Sequence, residues 1–383
     1  MAISLCAFAV RLRNPGQQPW FSISEYQRPL AVQKAVCAVI TLESGVVMRV
    51  FITGGGGFLG DQLCTALLER GSLLGPESQE QSIEKIILLD AHFARPVAYS
   101  PSPILVERVV GSIESQEAID EALGTTPDLA IFHLASMVSG ECEDRFDDAI
   151  SVNLNGGLRL LESARRIGPS CRFVFASSIA CFGGPALKDP CDDWTKLTPQ
   201  TTYGMTKAIL ELLISDYARK GFVDGRAARL PTVIIRPGKP NAAASSWASG
   251  MFREPLRGID CMLPVHFQQR HPMTGYRAVI DSLIAIHNLP AERIGRDRSI
   301  GLAAMSVTPA MAQAALEAAT SGSESVSLPG RLGKIVLAPD ARIQGIVDQW
   351  PVSIDGSRAL SLGLPGPPSL VEIIRGFVKD FMS

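Results

Sequence analysis

A short apolar strand that runs through glycines into a helix constrains the fold of this chain more than any other segment. Residues 49–53 lead into Gly54, Gly57 and Gly60, at the spacing G-x-x-G-x-x-G, and then into an amphipathic helix over 61–70. The N–H groups and the dipole at the start of such a helix attract anions. The three glycines would permit a tight turn, the approach of a pyrophosphate and close packing of helix against strand. The segment therefore predicts a dinucleotide site, with an ordinary turn as the alternative.

The size and charge of the chain limit the class of protein that it forms. It has 383 residues, a net charge of −2 and 46% hydrophobic residues, which is typical of a globular protein with two domains or one large α/β unit. A charge this small gives no overall attraction to nucleic acid or to an anionic membrane. No apolar run approaches the ~20 residues that span a bilayer. We therefore expect neither nucleic acid nor a membrane as a partner.

The eight cysteines and five histidines lack the spacing of a metal site. The cysteines are scattered and none belongs to a C-x-x-C pair. Scattered cysteines are typical of reduced thiols in an intracellular compartment. The sequence therefore predicts no metal ion and a cytoplasmic location.

Residues 1–47 differ from the rest of the chain. The apolar start lacks a preceding basic segment, which disfavours a secretory signal. Basic but no acidic residues precede Glu25, so a transit peptide stays open, while three prolines disfavour one continuous helix. We expect a disordered or weakly docked extension, or a start codon placed too early, since Met48 directly precedes the first strand.

Strands alternate with helices as far as residue 236. Further short apolar segments, typical of buried parallel strands, occur at 85–90, 104–110, 129–133, 172–176 and 232–236. Helical stretches are expected at 115–123, 147–166 and 202–220. This alternation predicts an α/β fold with a doubly wound parallel sheet.

The pattern loosens after residue 237, where proline, glycine and small residues become common. A strand is expected at 334–337 and an amphipathic helix at 369–381. We expect residues 48–236 to form the nucleotide-binding domain. Residues 237–383 would form a smaller C-terminal substrate region over the carboxyl edge of the sheet, where ligands of such sheets bind.

Asp90 ends the second predicted strand. A carboxylate there can accept hydrogen bonds from both ribose hydroxyls and would repel a 2′-phosphate. Its distance from Gly60 exceeds the usual ~20 residues because 71–82 has the composition of an inserted loop. Asp90 therefore favours NAD over NADP, unless it is only a solvated residue at the end of a strand.

Tyr203 and Lys207 form the only Y-x-x-x-K pattern in the sequence. Residues four apart share a helix face, so the ammonium group would lie near the phenol. A phenol has an ordinary pKa of about 10, and a neighbouring cation favours its ionised form. Ser177 and Ser178 follow the fifth predicted strand, where a hydroxyl can hold a substrate oxygen while the phenolate takes a proton. The same residues also occur as surface pairs and turn residues in other proteins.

These motifs resemble those of the extended short-chain dehydrogenases, also called the NAD-dependent epimerase/dehydratase family. The motifs are the glycine turn with Phe58-Leu59-Gly60, His133-Leu134-Ala135, Ser177-Ser178 and Tyr203-x-x-x-Lys207. The resemblance covers about residues 48–383 and implies a Rossmann fold, bound NAD and oxidoreductase activity.

The resemblance implies a role for each residue at a matching position. Ser178, Tyr203 and Lys207 would be catalytic, with Lys207 lowering the pKa of Tyr203 and binding the coenzyme ribose. The implied coenzyme-binding residues are Gly54, Gly57, Phe58, Leu59, Gly60, Asp90, Leu134, Ala135, Ser139, Asn153, Tyr203 and Lys207.

A closer resemblance links the chain to members of this family that oxidise C2 of four-carbon sugar acids. It rests on residues 138–141, 152–154 and 235–250. It implies that NAD oxidises a D-erythronate-like acid to the 2-oxo acid, with the C2 hydroxyl between Ser178 and Tyr203. The candidates for substrate binding are Ser139, Ser178, Tyr203, Lys239, Asn241 and Arg277.

Two other functions stay open. A nucleotide-sugar epimerase or dehydratase would use the same tyrosine and lysine, but it needs more cationic and stacking groups in the C-terminal region than the sequence offers. A catalytically silent NAD-binding sensor has no need of Ser178, Tyr203 and Lys207. By analogy with similar proteins, helices at 147–166 and 202–220 would form a homodimer interface.

Overall fold

The computed structural model describes residues 47–94, 99, 102–124, 128–239, 243–321, 325–328 and 330–382. The expected N-terminal extension lies outside these ranges except for Val47, and so does the candidate substrate residue Asn241. Among the described helices, none is long and apolar enough to cross a membrane. The same ranges contain no group of three or more His, Cys, Asp or Glu side chains arranged to hold a metal ion.

The described residues form thirteen strands. They are β1 Met48–Thr53, β2 Ser72–Leu74, β3 Glu80–Asp90, β4 Leu105–Val110, β5 Leu129–His133, β6 Arg172–Ser178, β7 Asp224–Leu230, β8 Thr232–Ile234, β9 Cys261–Leu263, β10 His271–Gly275, β11 Ser299–Gly301, β12 Met305–Val307 and β13 Ile335–Leu337.

The helices lie between and after these strands. They are α1 Phe58–Arg70, α2 Gln116–Leu123, α3 Ser139–Asp144, α4 Phe146–Ala149, α5 Gly156–Ile167, α6 Thr202–Arg219, α7 Ser246–Leu256, α8 Tyr276–Asn288, α9 Ala291–Ile294, α10 Pro309–Thr320, α11 Ala341–Val347, α12 Ser357–Ser361 and α13 Leu370–Phe381. A π-helical segment, Ile150–Asn155, joins α4 to α5, so the helix expected over 147–166 is interrupted. A 3-10 turn, Ile179–Cys181, follows β6.

A large, mostly parallel sheet forms the centre of the fold. Its strand order is β11-β7-β6-β5-β1-β3, with β4 also paired to β3. The sheet contains the predicted strands 85–90, 104–110, 129–133 and 172–176. The expected loop over 71–82 includes β2, which pairs antiparallel with β3. The predicted α/β fold with a doubly wound sheet is confirmed.

Both faces of the sheet are covered by helices. Alternate residues of β1 point to opposite faces, so Val50 and Ile52 pack with α1 and α8 while Phe51 packs with α2, α5 and α6. The buried apolar side chains of these two layers stabilise the sheet, and its carboxyl edge stays open to ligands.

One strand of the large sheet differs from the expectation. The strand beside β6 is β7, of sequence Asp-Gly-Arg-Ala-Ala-Arg-Leu, rather than the apolar segment 232–236. Arg226 and Arg229 of β7 are buried, and each is neutralised by a carboxylate, from Asp224 and Glu211. Buried charges are tolerated when they are paired. A segment with charged residues can therefore form a buried strand, and its polar sequence did not predict one.

The C-terminal part forms a second, smaller core. Strands β12, β10 and β8 form one small sheet and β13 pairs with β9, with α7, α10 and α13 packed around them. Strand β11 and helix α8, although later in the chain than residue 237, pack on the large sheet. The division into domains at 236/237 stays a prediction.

Candidate active site

The glycine turn is folded tightly between β1 and α1. Gly54 has a positive φ of 74°, and a Cβ atom there would lie 2.8 Å from the backbone nitrogen of Ala135. A Cβ at Gly60 would lie 2.2 Å from the carbonyl oxygen of Gly54. The N–H of Gly57 donates to that same oxygen at 3.1 Å. Only glycine fits at Gly54 and Gly60, so the turn brings the start of α1 against the edge of the sheet.

Asp90 lies beside this turn. Its carboxylate accepts hydrogen bonds from the N–H of Gly56 at 2.9 Å and from the N–H of His92 at 3.1 Å. A carboxylate oxygen has two lone pairs, so each oxygen keeps capacity for a ribose hydroxyl. Asp90 thus holds the glycine turn in place, and its role in binding the coenzyme stays a prediction.

A cavity of about 390 Å³, here called the cleft, runs along the carboxyl edge of the sheet. Of the predicted site residues it is lined by Gly54, Gly57, Phe58, Leu59, Gly60, Leu134, Ser139, Ser178, Tyr203 and Lys207. A second cavity of about 260 Å³ borders the glycine turn and includes Gly57, Phe58 and Lys239. The structure therefore brings most of the predicted residues to one cleft.

Phe58 connects the glycine turn with the end of the chain. Its ring centroid lies 5.2 Å from that of Tyr276 in α8 and 5.9 Å from that of Phe381 in α13. Phe381 also lines the smaller cavity beside the glycine turn. The last helix thus forms part of the wall next to the predicted dinucleotide site.

Tyr203 lies in the first turn of α6. The Thr201 side chain caps this helix by accepting from the N–H of Gly204 at 3.1 Å. A Cβ at Gly204 would lie 2.0 Å from the carbonyl oxygen of Ala180, so glycine lets the helix start pack on the turn after β6. This packing places Tyr203 beside Ser178.

The acidity of Tyr203 differs from the expectation. Burial raises the pKa of Tyr203 to about 12, although a hydrogen bond with Ser178 opposes this shift. The expected lowering by Lys207 is therefore not produced by the protein alone. Burial is the largest cause of the raised pKa, and the Lys207 ammonium, 5.4 Å from the Tyr203 ring centroid, donates to the carbonyl oxygen of Ala176.

Lys207 is only 3% exposed. Its Nζ donates to the carbonyl oxygen of Ala176 at 2.8 Å and lies 4.7 Å from the Phe175 ring centroid. Burial lowers the pKa of Lys207 to about 8, while Cys142 and Glu211 oppose the shift. The lysine is held at the base of the cleft by the strand that carries the two serines.

A buried ionic network that sequence reasoning missed lies behind the serines. Ser177 donates to Glu211, which is 1% exposed and accepts from Arg229 Nη2 at 2.8 Å. Arg229 also pairs with Asp193, which binds Arg358 at 2.8 Å. The spacing Tyr203, Lys207, Glu211 on α6 was the available signal. Since the Ser177 hydroxyl is bound by Glu211, Ser178 is the serine that contacts Tyr203.

Two predicted coenzyme residues, Ala135 and Asn153, support the loops around the cleft. Thr53 Oγ1 accepts from the N–H of Ala135 at 3.2 Å and lies 2.7 Å from His133 Nδ1, which links the ends of β1 and β5. The buried Asn153 accepts from the N–H of Met137 at 2.7 Å through its Oδ1. These bonds fix the course of the chain after β5.

The cationic candidates for a substrate carboxylate are not in the cleft. Lys239 borders the smaller cavity, and Arg277 binds Asp380 of α13 at 2.5 and 2.6 Å beside a separate cavity. Ser139 does line the cleft and accepts from the N–H of Ala244 at 3.3 Å. The sequence did not predict the pairing of Arg277, because its partner Asp380 is distant in the sequence and lies beside it only in the folded chain.

Arg236 lines the cleft although it was not among the candidates. It follows β8 and is a lining residue of both cavities. Burial and the neighbouring Arg253 lower the pKa of Arg236, as expected for a cation whose charge is incompletely compensated. Among the described residues lining the cleft, Arg236 and Lys207 are the lysine and arginine side chains.

Comparison with known proteins identifies relatives over nearly the whole described fold. The sequence pattern of the NAD dependent epimerase/dehydratase family matches residues 50–270. D-erythronate dehydrogenase of Cupriavidus necator is 40% identical, over 87% of this chain and 98% of its own length. The D-erythronate dehydrogenase of Haemophilus influenzae is 37% identical, over 87% and 99%. A nucleoside-diphosphate-sugar epimerase from Agrobacterium tumefaciens has a similar structure, with a TM-score of 0.75 and 35% identity over 88% of this chain and 95% of its own.

Proposed function

Because the chain belongs to the NAD-dependent epimerase/dehydratase family, we propose that it oxidises the C2 hydroxyl of a four-carbon sugar acid of the D-erythronate type. The family and the dehydrogenase relatives establish an NAD-dependent oxidoreductase. The observation that carries the finer proposal is the presence of Ser178, Tyr203 and Arg236 in the same cleft as the glycine turn. Ser178 offers a hydrogen-bond partner for the C2 hydroxyl, Tyr203 a proton acceptor and Arg236 a cation for a carboxylate.

The glycine turn and Asp90 would hold the coenzyme. The close packing of the turn at Gly54 and Gly60 and the two cavities that Gly57 lines fit a dinucleotide whose pyrophosphate lies at the start of α1. The Asp90 carboxylate would accept from the adenosine ribose, which favours NAD. When bound, NAD supplies the acceptor for the hydride that leaves C2.

The protein side chains would move the proton and orient the acid. Ser178 holds the C2 oxygen, and Tyr203, as phenolate, accepts the C2 hydroxyl proton. Lys207 supplies positive charge that favours phenolate, although burial opposes it in the protein alone. Arg236 and Ser139, which both line the cleft, would bind the carboxylate. This would leave C2 between the serine and the tyrosine.

The proposal is tested by following NADH absorbance with the purified protein and D-erythronate, threonate or longer aldonates. We expect NADH to form fastest with a four-carbon acid and the Tyr203→Phe variant to lose roughly 10²-fold or more in turnover. NADH binding, measured by fluorescence, should be retained by this variant. Absence of turnover with every sugar acid despite tight NAD binding would instead favour the sensor function.

A nucleotide-sugar epimerase or dehydratase is tested in the same assay. Such an enzyme would bind UDP-sugars in the cleft, so UDP-sugars would compete with the sugar acid and slow the formation of NADH. With a sugar-acid dehydrogenase, UDP-sugars would leave the formation of NADH unchanged. The cleft offers one arginine for a substrate anion, Arg236, within the described residues. A diphosphate needs stronger cationic binding than this.

We also propose that the enzyme is cytoplasmic and forms a homodimer. The described cysteines are all free and buried, and scattered thiols are typical of a reducing compartment such as the cytoplasm. Phe146, the first residue of α4, and Leu212 on α6 are 54% and 65% exposed, which suits a homodimer through these helices. Light scattering on the wild type and on a Leu212→Glu variant would test the dimer.

A further inference from the structure

Two residues that line the cleft each carry a buried polar atom without a hydrogen-bond partner in the described part of the chain. His271 is 1% exposed and its Nε2 lies 2.6 Å from Thr232 Oγ1. Its other ring nitrogen, Nδ1, is buried and has no hydrogen-bond partner in the described part of the chain. The same holds for the indole N–H of Trp350, a residue that is 9% exposed. Both residues line the cleft together with Ser178 and Tyr203.

The position of the imidazole is fixed by its neighbours. The His271 ring centroid lies 5.3 Å from the Trp350 ring and 5.9 Å from the Trp247 ring. Burial lowers the pKa of His271 to about 3, so the ring is neutral at physiological pH. It therefore offers a hydrogen bond and no charge.

Such atoms are rarely left unpaired in folded proteins. About nine in ten buried polar groups have a hydrogen-bond partner, because an unpaired one loses its bonds to water without replacement. An indole N–H is a donor only, and a neutral imidazole nitrogen donates or accepts. Oxygen atoms of a bound ligand are the natural partners, and neutral groups of this kind suit hydroxyls better than a carboxylate.

We propose that His271 and Trp350 bind the hydroxyl groups on C3 and C4 of the substrate. The enzyme then selects 2-hydroxy acids that carry further hydroxyls over those with a plain alkyl chain. This inference rests on the proposed function, since it takes C2 to lie at Ser178 and Tyr203. With Arg236 on the carboxylate, the cleft would contact both ends of the acid.

The experiment compares two acids of the same length. D-erythronate carries hydroxyls on C3 and C4, and D-2-hydroxybutyrate lacks both. We measure kcat/KM for each acid, or the inhibition constant where the second acid is not oxidised. The wild type should favour D-erythronate by at least about 10²-fold, because a site built for hydroxyls rejects analogues that lack them.

The variants His271→Phe and Trp350→Phe keep an aromatic ring and remove the polar atom. Each should lower kcat/KM for D-erythronate by roughly 10- to 100-fold and leave the constant for D-2-hydroxybutyrate unchanged. Trp247→Phe is the matched control, because Trp247 also packs on His271 but lines a different cavity. It should leave the preference unchanged, and NADH binding should be the same in all three variants.

The outcomes separate this inference from the proposed function. If the wild type oxidises both acids equally well, or if the two variants weaken both acids by the same factor, the hydroxyl site is refuted while the dehydrogenase function stands. If the wild type oxidises no 2-hydroxy acid, the proposed function is refuted and the inference with it. Should His271→Phe fail to fold, Trp350→Phe alone decides the question.

Discussion

Lys207 donates from its Nζ to the carbonyl oxygen of Ala176 at 2.8 Å. Ala176 lies in β6 directly before the serine pair, so this bond ties the helix that carries Tyr203 to the strand that carries Ser178. The ammonium, the phenol and the serine hydroxyl are thus held by one junction of helix and strand. The proposed proton transfer would therefore depend on the geometry of this junction.

The first prediction concerns the pH dependence of oxidation. Because burial raises the pKa of Tyr203 to about 12, kcat should rise with pH across the neutral range as more phenolate forms. Below the lowered pKa of Lys207 of about 8, the variant Lys207→Met removes a positive charge that favours phenolate, so in this range its kcat should rise at higher pH than that of the wild type. Stopped-flow measurement at saturating NAD gives the profile. If the variant lowers kcat by the same factor at every pH and leaves its pH dependence unchanged, Lys207 acts only in binding.

The second prediction separates two arginines. Arg236→Gln should raise KM for the sugar acid roughly 10- to 100-fold, since a charge-assisted hydrogen bond is lost. Arg277→Gln should leave this KM unchanged, because Arg277 pairs with Asp380 at 2.5 Å beside another cavity. Steady-state kinetics on both variants make the comparison. A larger increase in KM for Arg277→Gln than for Arg236→Gln would instead assign the binding of the substrate carboxylate to Arg277.

The third prediction concerns the ionic network behind the cleft. Glu211→Ala should lower the free energy of unfolding by about 3–5 kcal/mol, because it leaves the buried Arg229 without its carboxylate. Asp216→Ala, on the same helix, removes the exposed pair with Arg219 and should cost less than about 1 kcal/mol. Urea denaturation measures both. Equal losses would mean that the buried network contributes no more than a surface pair.

The fourth prediction concerns stability in acid. Burial lowers the pKa of His133, His271 and His287 to about 3, whereas an unfolded histidine titrates at about 6.5. Between these values the unfolded chain binds more protons than the native protein. The free energy of unfolding should therefore fall as the pH drops below about 6.5, by up to about 1.4 kcal/mol per pH unit for each histidine.

His287→Phe tests this linkage away from the cleft. Urea denaturation at several pH values between about 7 and 5 gives the slope for the wild type and for the variant. In the variant, the change in the free energy of unfolding per pH unit should be smaller by the contribution of about one proton, whatever its absolute stability. The same slope in both proteins would exclude His287 from the acid response.

Local patterns predicted much of the fold and several of the residues that line the cleft. The glycine turn and the Tyr203–Lys207 pair were recognisable because one turn or one helix fixes their geometry. Strand β7 was not, since its buried Arg226 and Arg229 depend on carboxylates from elsewhere in the fold. Polarity in the sequence is a poor guide where charges are neutralised by distant partners.

The residues proposed to bind the two ends of the substrate could not be predicted from the sequence for a related reason. Arg277 looked available in the sequence, but Asp380 lies about a hundred residues later and binds it. His271 and Trp350 come from different elements, so no spacing could have linked them to Ser178. A site assembled from distant segments becomes visible only when the chain is folded.

The packing of Phe381 against Phe58 has a consequence for biosynthesis. All the strands and motifs of the dinucleotide site emerge from the ribosome before α13 is made, yet the wall beside the glycine turn needs that helix. A nascent chain can therefore complete its sheet before α13 is made, and the wall beside the glycine turn forms only after α13 has left the ribosome.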